Sequence, residues 1–288
     1  MTSELEVLAT GPLTLVQDLG RPGLAAVGVG RSGAADRGAF RLGARLLAQE
    51  YTAAALEVTF GGLQVRARGD VMIALTGAEC AATVDGRGVD LNSPVQLRDG
   101  QTLRLGTPLL GLRSYLSVRG GIAVPEVLGS RSTDTLAGLG PSPVRPGDRL
   151  PVGPPPARFP CVDVAPTRPC TADPLVLRAI PGPRDDWLAD LSELSAGCWT
   201  VSSRSDRVGI RLEGPPLRYA PARVDQELPS EGVVRGSVQV PAGGQPVLFL
   251  ADHPVTGGYP VAAVVVASDV DRAAQARPGQ QIRLTLLH

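Results

Sequence analysis

The 288-residue chain contains no lysine: all 28 of its basic residues are arginine. That absence excludes a Schiff-base lysine, a Walker-type phosphate lysine, a carbamylated-lysine metal bridge and a biotin-carrying lysine within this chain. Histidine is nearly absent too. With only His253 and His288 present, a histidine-rich centre or a Ser-His-Asp triad would have to be built around His253, and no metal site is expected. Cys80, Cys161, Cys170 and Cys198 show no C-x-x-C spacing and are expected to be small buried hydrophobes. An excess of one charge is lacking as well: 28 acidic residues balance the arginines and no basic block occurs, so nucleic acid is not an expected partner. No apolar run reaches about 18 residues, and "MTSELEVLATG" has neither the charged start nor the apolar stretch of a secretion signal. The expectation is a cytoplasmic protein with no membrane role.

What is present is glycine and proline, 35 and 27 of them, punctuating short apolar segments. Such a texture predicts a mainly β, α+β protein. Candidate strands are "EVLAT", "LTLVQD", "AALEVTF", "LQVRA", "VMIALTG", "ATVDG", "TLRLG" and "RSYLSVRG", closed by turns such as "VDGRG" and "RDGQ". One helix is predicted over "AADRGAFRLGARLLAQE", with Asp36 near its start and Phe40, Leu42, Leu46 and Leu47 at helical spacing. Proline density then climbs through "RPGDRLPVGPPPARFPCVDVAPTRPC", which reads as a stiff linker. The expected organisation is therefore an N-terminal β-barrel subdomain over 1–150, a Pro-rich linker over 151–173 and a C-terminal β-barrel subdomain over 174–288. In the last part "RDDWLADLSEL" is expected to be a short helix, and "PVLFL" and "VAAVVVAS" a hairpin whose loop carries Asp252, His253, Thr256, Gly257, Gly258 and Tyr259.

Carboxylates, arginine, tyrosine, hydroxyls, glutamine and backbone amides remain for chemistry, a set suited to binding and polarising a small polar molecule. Gln17, Asp18 and Arg21 share a glycine-rich turn, where Asp18 and Arg21 could serve a ligand or simply pair. Asp36 could be a ligand contact or a helix cap. Glu57 lies inside an apolar strand, where a carboxylate costs several kcal/mol unless paired or hydrogen-bonded; a structural pair with an arginine and a ligand contact both fit. Tyr115, the Gly-Gly pair after it and Ser130 in "LGSRSTDT" could line an anion-receptive nest. Asp206 stands between Arg204 and Arg207, either a carboxylate-gripping cluster or a solvated face. "SVQVPAGGQPVLFLADHPVTGGYP" adds Gln239, Asp252, Thr256 and Tyr259.

The motifs "QDLGRPG", "GAAD", "LEVTFGG", "YLSVRGG", "GSRSTDT", "SDRVGIRL", "GSVQVPAGGQPVLFLAD", "TGGYP" and "AQARPG" occur in an order that resembles the biotin-dependent carboxyltransferase family. That family includes the C subunit of bacterial 5-oxoprolinase, the second subunit of allophanate hydrolase type and the antagonist of a sporulation-kinase inhibitor. The resemblance runs from about Leu8 to the C-terminus. It implies two cyclophilin-like β-barrel subdomains and two partner chains, the B-like and A-like 5-oxoprolinase subunits, which with this chain open 5-oxo-L-proline to L-glutamate using ATP. ATP is then used by the complex, since this chain shows no nucleotide motif, and biotin is not covalently attached here.

On this reading Asp252 to Tyr259 form a wall of the ligand cleft. Gly257 and Gly258 allow close backbone approach, and Thr256 and Tyr259 donate to a carbonyl or carboxylate. Gln17, Asp18, Arg21, Asp36 and Glu57 are expected opposite, and Tyr115, Ser130 and Gln239 also contact substrate. Asp206 or Asp252 would steer water once ATP has activated the amide, with Arg207 neutralising a substrate carboxylate or phosphate. Two alternatives stay open: a non-catalytic protein that sequesters a kinase inhibitor of the B-subunit type, and a carboxyltransferase acting on urea or another small amide with a separate biotin carrier. The chain departs from the family pattern at Pro141, where an arginine is usual and Arg145 is the nearest substitute, at Val208 in place of methionine and at Val255 in place of threonine.

Overall fold

Short apolar runs broken by glycine turns fold as strands, and strands predominate over three short α-helices among the described residues. The structure, a computed structural model, describes residues 3–167 and 174–287; Cys170, His288 and the end of the Pro-rich stretch lie outside them. Packing divides the chain into two compact units. The first takes the residues up to Arg21, then Ser32–Asp134, then the chain from Gly138 into the Pro-rich stretch. The second takes Pro22–Arg31, Thr135–Ala137 and the remainder, so two short pieces of the N-terminal half pack with the C-terminal strands.

In the first unit the elements are β1 (Glu4–Thr10), β2 (Leu13–Gln17), α1 (Arg37–Leu46), β3 (Ala55–Thr59), β4 (Leu63–Arg68), β5 (Val71–Glu79), β6 (Ala82–Val84), β7 (Arg87–Gly88), β8 (Pro94–Leu97), β9 (Thr102–Leu105), β10 (Leu110–Val118) and β11 (Arg149–Pro151). They form a six-stranded sheet, β11-β1-β4-β9-β6-β7, and a five-stranded sheet, β2-β3-β10-β5-β8. One apolar core joins both sheets, with Leu5, Val65, Leu103, Leu56, Ile73 and Leu116 among its members. Burying each such side chain is worth about 1.5–3 kcal/mol.

β4 alternates buried residues with half-buried or exposed ones, whereas β3 and β10 are buried almost throughout. The difference has a cause: α1 packs on β5 and β10, covering the second face of their sheet. Successive residues of β10 therefore part company. Leu116 and Val118 join the inter-sheet core, while Tyr115 packs edge-on against Phe40 of α1. Asp36 caps α1 as its Oδ1 accepts from the Ala39 amide at 2.9 Å.

The second unit comprises β12 (Leu175–Pro181), α2 (Ser192–Ala196), β13 (Trp199–Val201), β14 (Gly209–Glu213), β15 (Glu231–Gly232), β16 (Ser237–Gln239), β17 (Val247–Phe249), β18 (Thr256–Gly257), β19 (Val261–Val265), α3 (Ala267–Ala273) and β20 (Gln281–Leu286). Seven strands close into a barrel in the order β12-β19-β16-β17-β14-β13-β20, and β15 pairs with β18 as a separate ribbon. The helix expected over "RDDWLADLSEL" is instead a 3₁₀ turn at Asp185–Trp187 followed by α2. Leu188 is extended between them, and Asp190 Oδ1 accepts from the Ser192 amide as the chain restarts.

The expected hairpin of "PVLFL" and "VAAVVVAS" is corrected. β17 and β19 do not pair; β16 lies between them and bonds to both. The tight turn is the one before β17, where Gly244 adopts φ +70° and donates to Pro241 O. Residues 250–260 are thus a crossover past β16, tied down by Leu250 N to Val208 O, Val233 N to Val255 O and Val240 N to Pro260 O.

Cysteine burial is mixed. Cys80 is buried as expected, and its thiol pKa is raised by that burial, but Cys161 is exposed and Cys198 half-buried. No helix among the described residues is long and apolar enough to cross a membrane.

Candidate functional sites

In the first unit the end of β2 and the turn after it meet the "LGSRST" segment. Asp18 accepts four hydrogen bonds: from Ser130 Oγ at 2.7 Å, Ser132 Oγ at 2.6 Å and the Gly20 amide at 2.7 Å on Oδ1, and from the Arg131 amide at 2.7 Å on Oδ2. Three of these bonds converge on Oδ1 and one reaches Oδ2, so both carboxylate oxygens of Asp18 are engaged within the fold. It does not pair with Arg21. Arg21 is buried and reaches across the same segment, donating Nε to Val127 O at 3.3 Å and Nη2 to Ser132 O at 2.5 Å. Gln17 Nε2 donates to Thr133 O at 2.8 Å. Gln17 Oε1 and Arg21 Nη1 are both buried and have no protein partner among the described residues.

A second polar group lies beneath α1. Glu57 and Tyr115 face each other across β3 and β10, and the phenol donates to Glu57 Oε2 at 2.7 Å. Glu57 also accepts the Ala35 amide at 2.9 Å, and Arg113 Nε stands 3.6 Å from its other oxygen. Tyr115 in turn accepts the Asp36 amide at 2.8 Å. Burial, and next the negative charge of Glu57, push the phenol pKa well above its ordinary value. The arginine anticipated beside Glu57 is therefore Arg113.

The buried segment Ser32–Asp36 links the two groups, with Ser32 Oγ donating to Thr133 O and Ala34 N to Asp18 O. Gly33 holds φ +95° against the Leu19–Gly20 backbone, where a Cβ would come within 2.7 Å.

In the second unit Arg207 grips Asp252 with two prongs, Nε to Oδ2 at 2.9 Å and Nη2 to Oδ1 at 3.0 Å, both side chains buried. Thr135 adds its amide at 2.9 Å and its hydroxyl at 2.7 Å to Asp252 Oδ2. Asp206 immediately precedes Arg207 in the chain. It is exposed, and its Oδ1 accepts the Val208 and Gly209 amides as a turn before β14. Gln239 is buried and donates Nε2 to Tyr259 O at 2.9 Å. Thr256 and Gly257 form β18, Thr256 and Gly258 are exposed, and Tyr259 is 50% exposed.

Ser132, Arg113 and Thr135 escaped the sequence reading. Ser130 and Ser132 stand two apart, as do Arg113 and Tyr115, and that period of two puts each pair on one side of an extended chain; it was the available signal for the first two. Thr135 lies 117 residues from Asp252, and nothing local announces it.

No α-helix N-terminus among the described residues offers an open seat for the phosphates of a nucleoside triphosphate. The first-turn amides of α1 are the natural phosphate seat, but Asp36 already places a carboxylate there. α2 and α3 have only 5 and 7 residues. No group of three or more His, Cys, Asp or Glu able to hold a metal occurs among the described residues.

Residues 27–286 match the family model described as carboxyltransferase domain, subdomain A and B. The chain belongs to this family. A curated family relative, the 5-oxoprolinase C subunit of Escherichia coli (strain K12), is 38% identical over 96% of this chain and 89% of its own length. The solved structure of TTHA0988 superposes with a TM-score of 0.89 at 34% identity, covering 99% of this chain. The urea amidolyase of K. lactis does so with a TM-score of 0.92 at 30% identity and the same coverage. This carboxyltransferase domain spans only 55% of the TTHA0988 chain and 19% of the urea amidolyase chain.

Proposed function

We propose that this chain is the C subunit of an ATP-dependent 5-oxoprolinase, inactive alone and cytoplasmic, working with the B-like and A-like subunits to open 5-oxo-L-proline to L-glutamate. The supporting observation is its 38% identity, over nearly the full length of both, to the E. coli protein of that name. ATP is used on another chain. Hydrolysing a lactam requires a polarised carbonyl, a water and a proton for the departing nitrogen. Asp18 and Asp252 are engaged within the fold and are poor candidates for steering water. The exposed Thr256 hydroxyl and the half-exposed Tyr259 phenol are the donors this chain offers to a carbonyl or leaving nitrogen. Gln17 Oε1 and Arg21 Nη1 are among the buried polar atoms of the first unit's described residues that lack a protein hydrogen-bond partner.

The test is reconstitution with the two companion chains and measurement of glutamate release from 5-oxo-L-proline. Release that requires ATP and disappears when this chain is omitted is the expected result. A stable complex with the B-like companion but no turnover overturns the reading in favour of sequestration. The likeness to urea amidolyase supports a second reading, carboxyl transfer from a separate biotin carrier to a small amide; bicarbonate-dependent carboxylation of urea, without glutamate release, would establish it.

A further inference from the structure

We propose that Gln239 is a positioning residue for Tyr259: its amide fixes the direction of the half-exposed phenol without itself meeting substrate. The inference rests on the functional reading above for the role of Tyr259, while the positioning rests on four observations within the second unit.

The first is a slip in the barrel ladder. Val238 lies opposite Ala263, but Gln239 lies opposite Val261, so β19 carries one extra residue at this point. Bulges of this kind re-aim side chains and occur beside functional sites. The second is the hydrogen bond from Gln239 Nε2 to Tyr259 O, 2.9 Å.

The third is Gly257. A Cβ built there would stand 2.5 Å from Gln239 Nε2, closer than real Cβ atoms come, and Gly257 is not among the glycines with positive φ. A side chain at 257 would have to displace the Gln239 amide, so the glycine leaves that amide the place from which it reaches Tyr259 O. The fourth is the next residue in the chain. Tyr259 precedes Pro260, which restricts its backbone to extended conformations. The Val240 amide holds Pro260 O at 3.0 Å. With two successive carbonyls held, one by a side chain and one by the main chain, the phenol keeps only its own side-chain torsions.

Gln239 is 6% exposed and Tyr259 50%. The amide is placed to support the loop from below, and the phenol to meet what binds above.

The experiment uses the full chain in the reconstituted complex, with Gln239→Met, which keeps length and removes the donor, Tyr259→Phe, and the double variant. In Gln239→Met, amides of residues 256–259 are expected to exchange with solvent about tenfold faster while the melting temperature moves little. Turnover is expected to fall about tenfold in kcat with KM little changed. In the Tyr259→Phe background the same substitution should cost nothing further, because its effect passes through the phenol. Unchanged exchange at 256–259 overturns the positioning. A kcat loss that is undiminished in the Tyr259→Phe background overturns the link to Tyr259. If the wild-type complex releases no glutamate, the functional reading fails separately, and the exchange measurement alone decides whether Gln239 holds the loop.

Discussion

Asp18 in the first unit and Asp252 in the second are both buried carboxylates with their oxygens engaged, yet they are satisfied by different chemistry. Asp18 is met by neutral donors, two serine hydroxyls and two backbone amides, while the nearby Arg21 turns to carbonyls. Asp252 is met by a two-pronged guanidinium plus the hydroxyl and amide of Thr135. Neutral donors can find water when the carboxylate is removed. A buried guanidinium that loses a two-pronged carboxylate keeps its whole charge in a poor solvent. The two sites should therefore respond unequally to the same substitution.

The largest effect is expected at Asp252. Replacing it with alanine removes the carboxylate that Arg207 grips with two prongs, and breaking a buried pair from one side costs about 3–5 kcal/mol. Denaturant unfolding of Asp252→Ala should show a loss of that size, and a variant that removes both charges, Arg207→Met with Asp252→Leu, should be less damaged than the single change. Loss of activity in Asp252→Ala would then report the fold and not a water-steering carboxylate. A mild loss of stability would restore Asp252 as a candidate for the chemistry.

Asp18→Ala should cost less, about 2–3 kcal/mol, from hydroxyls and amides that lose a charged acceptor. If unfolding shows it equal to or worse than Asp252→Ala, the contrast between neutral and charged partners fails, and Arg21 must depend on Asp18 electrostatically without touching it.

Glu57 is the intermediate case, with a phenol and an amide in hydrogen-bonding contact and Arg113 at a longer 3.6 Å. Tyr115→Phe removes the donor to Glu57 and the acceptor of the Asp36 amide together, an expected loss of about 1–3 kcal/mol. The sign of its pH dependence follows from the raised phenol pKa. The contribution is complete below the unfolded value of about 10 and is lost as pH rises beyond it toward the folded value. The stability gap between wild type and Tyr115→Phe should therefore narrow above about pH 10. A gap that stays constant into strong alkali would show that neither burial nor Glu57 raises the phenol pKa in the folded chain.

These same residues show how far the sequence could be read. α1 was legible because an acidic cap and apolar residues at helical spacing are local signals, and Asp36 does cap it. Glu57 drew notice because a carboxylate in an apolar strand needs a partner, and even the kind of partner, an arginine, could be anticipated. Whether that pairing was structural could not be settled, because Glu57 looks apolar-bound only when α1 is known to cover its sheet. Barrel order was illegible for a different reason. β16 is three residues long, too short for any period, so β17 and β19 looked like sequence neighbours that should pair. The clamp on Asp252 combines Arg207, 45 residues away, with Thr135 at 117, and contacts that distant leave no trace in local pattern.

Asp269 extends the comparison to a carboxylate whose partner is in water. Its side chain is 2% exposed, but that of Arg178, which binds it at 2.9 Å, is 52% exposed, so the guanidinium can return to solvent if the carboxylate is lost. The hydrogen bond from Arg178 is the first cause that holds the Asp269 carboxyl below its ordinary value. A depressed carboxyl pKa stabilises the fold above the unfolded value of about 3.9, and that contribution is lost as pH falls through the lower folded value. Asp269→Asn should thus be less stable than wild type at neutral pH, with the smallest loss of the four variants, and the difference should close as the solution is acidified below about pH 4. Added salt should shrink it further at neutral pH, which it should not do for Asp252, shielded from counterions by burial. A salt-insensitive loss at Asp269 as large as that at Asp252 would mean that partner exposure does not grade these carboxylates, and that the amide of Arg178, which donates to the same Asp269 oxygen at 2.8 Å, is the dominant contact.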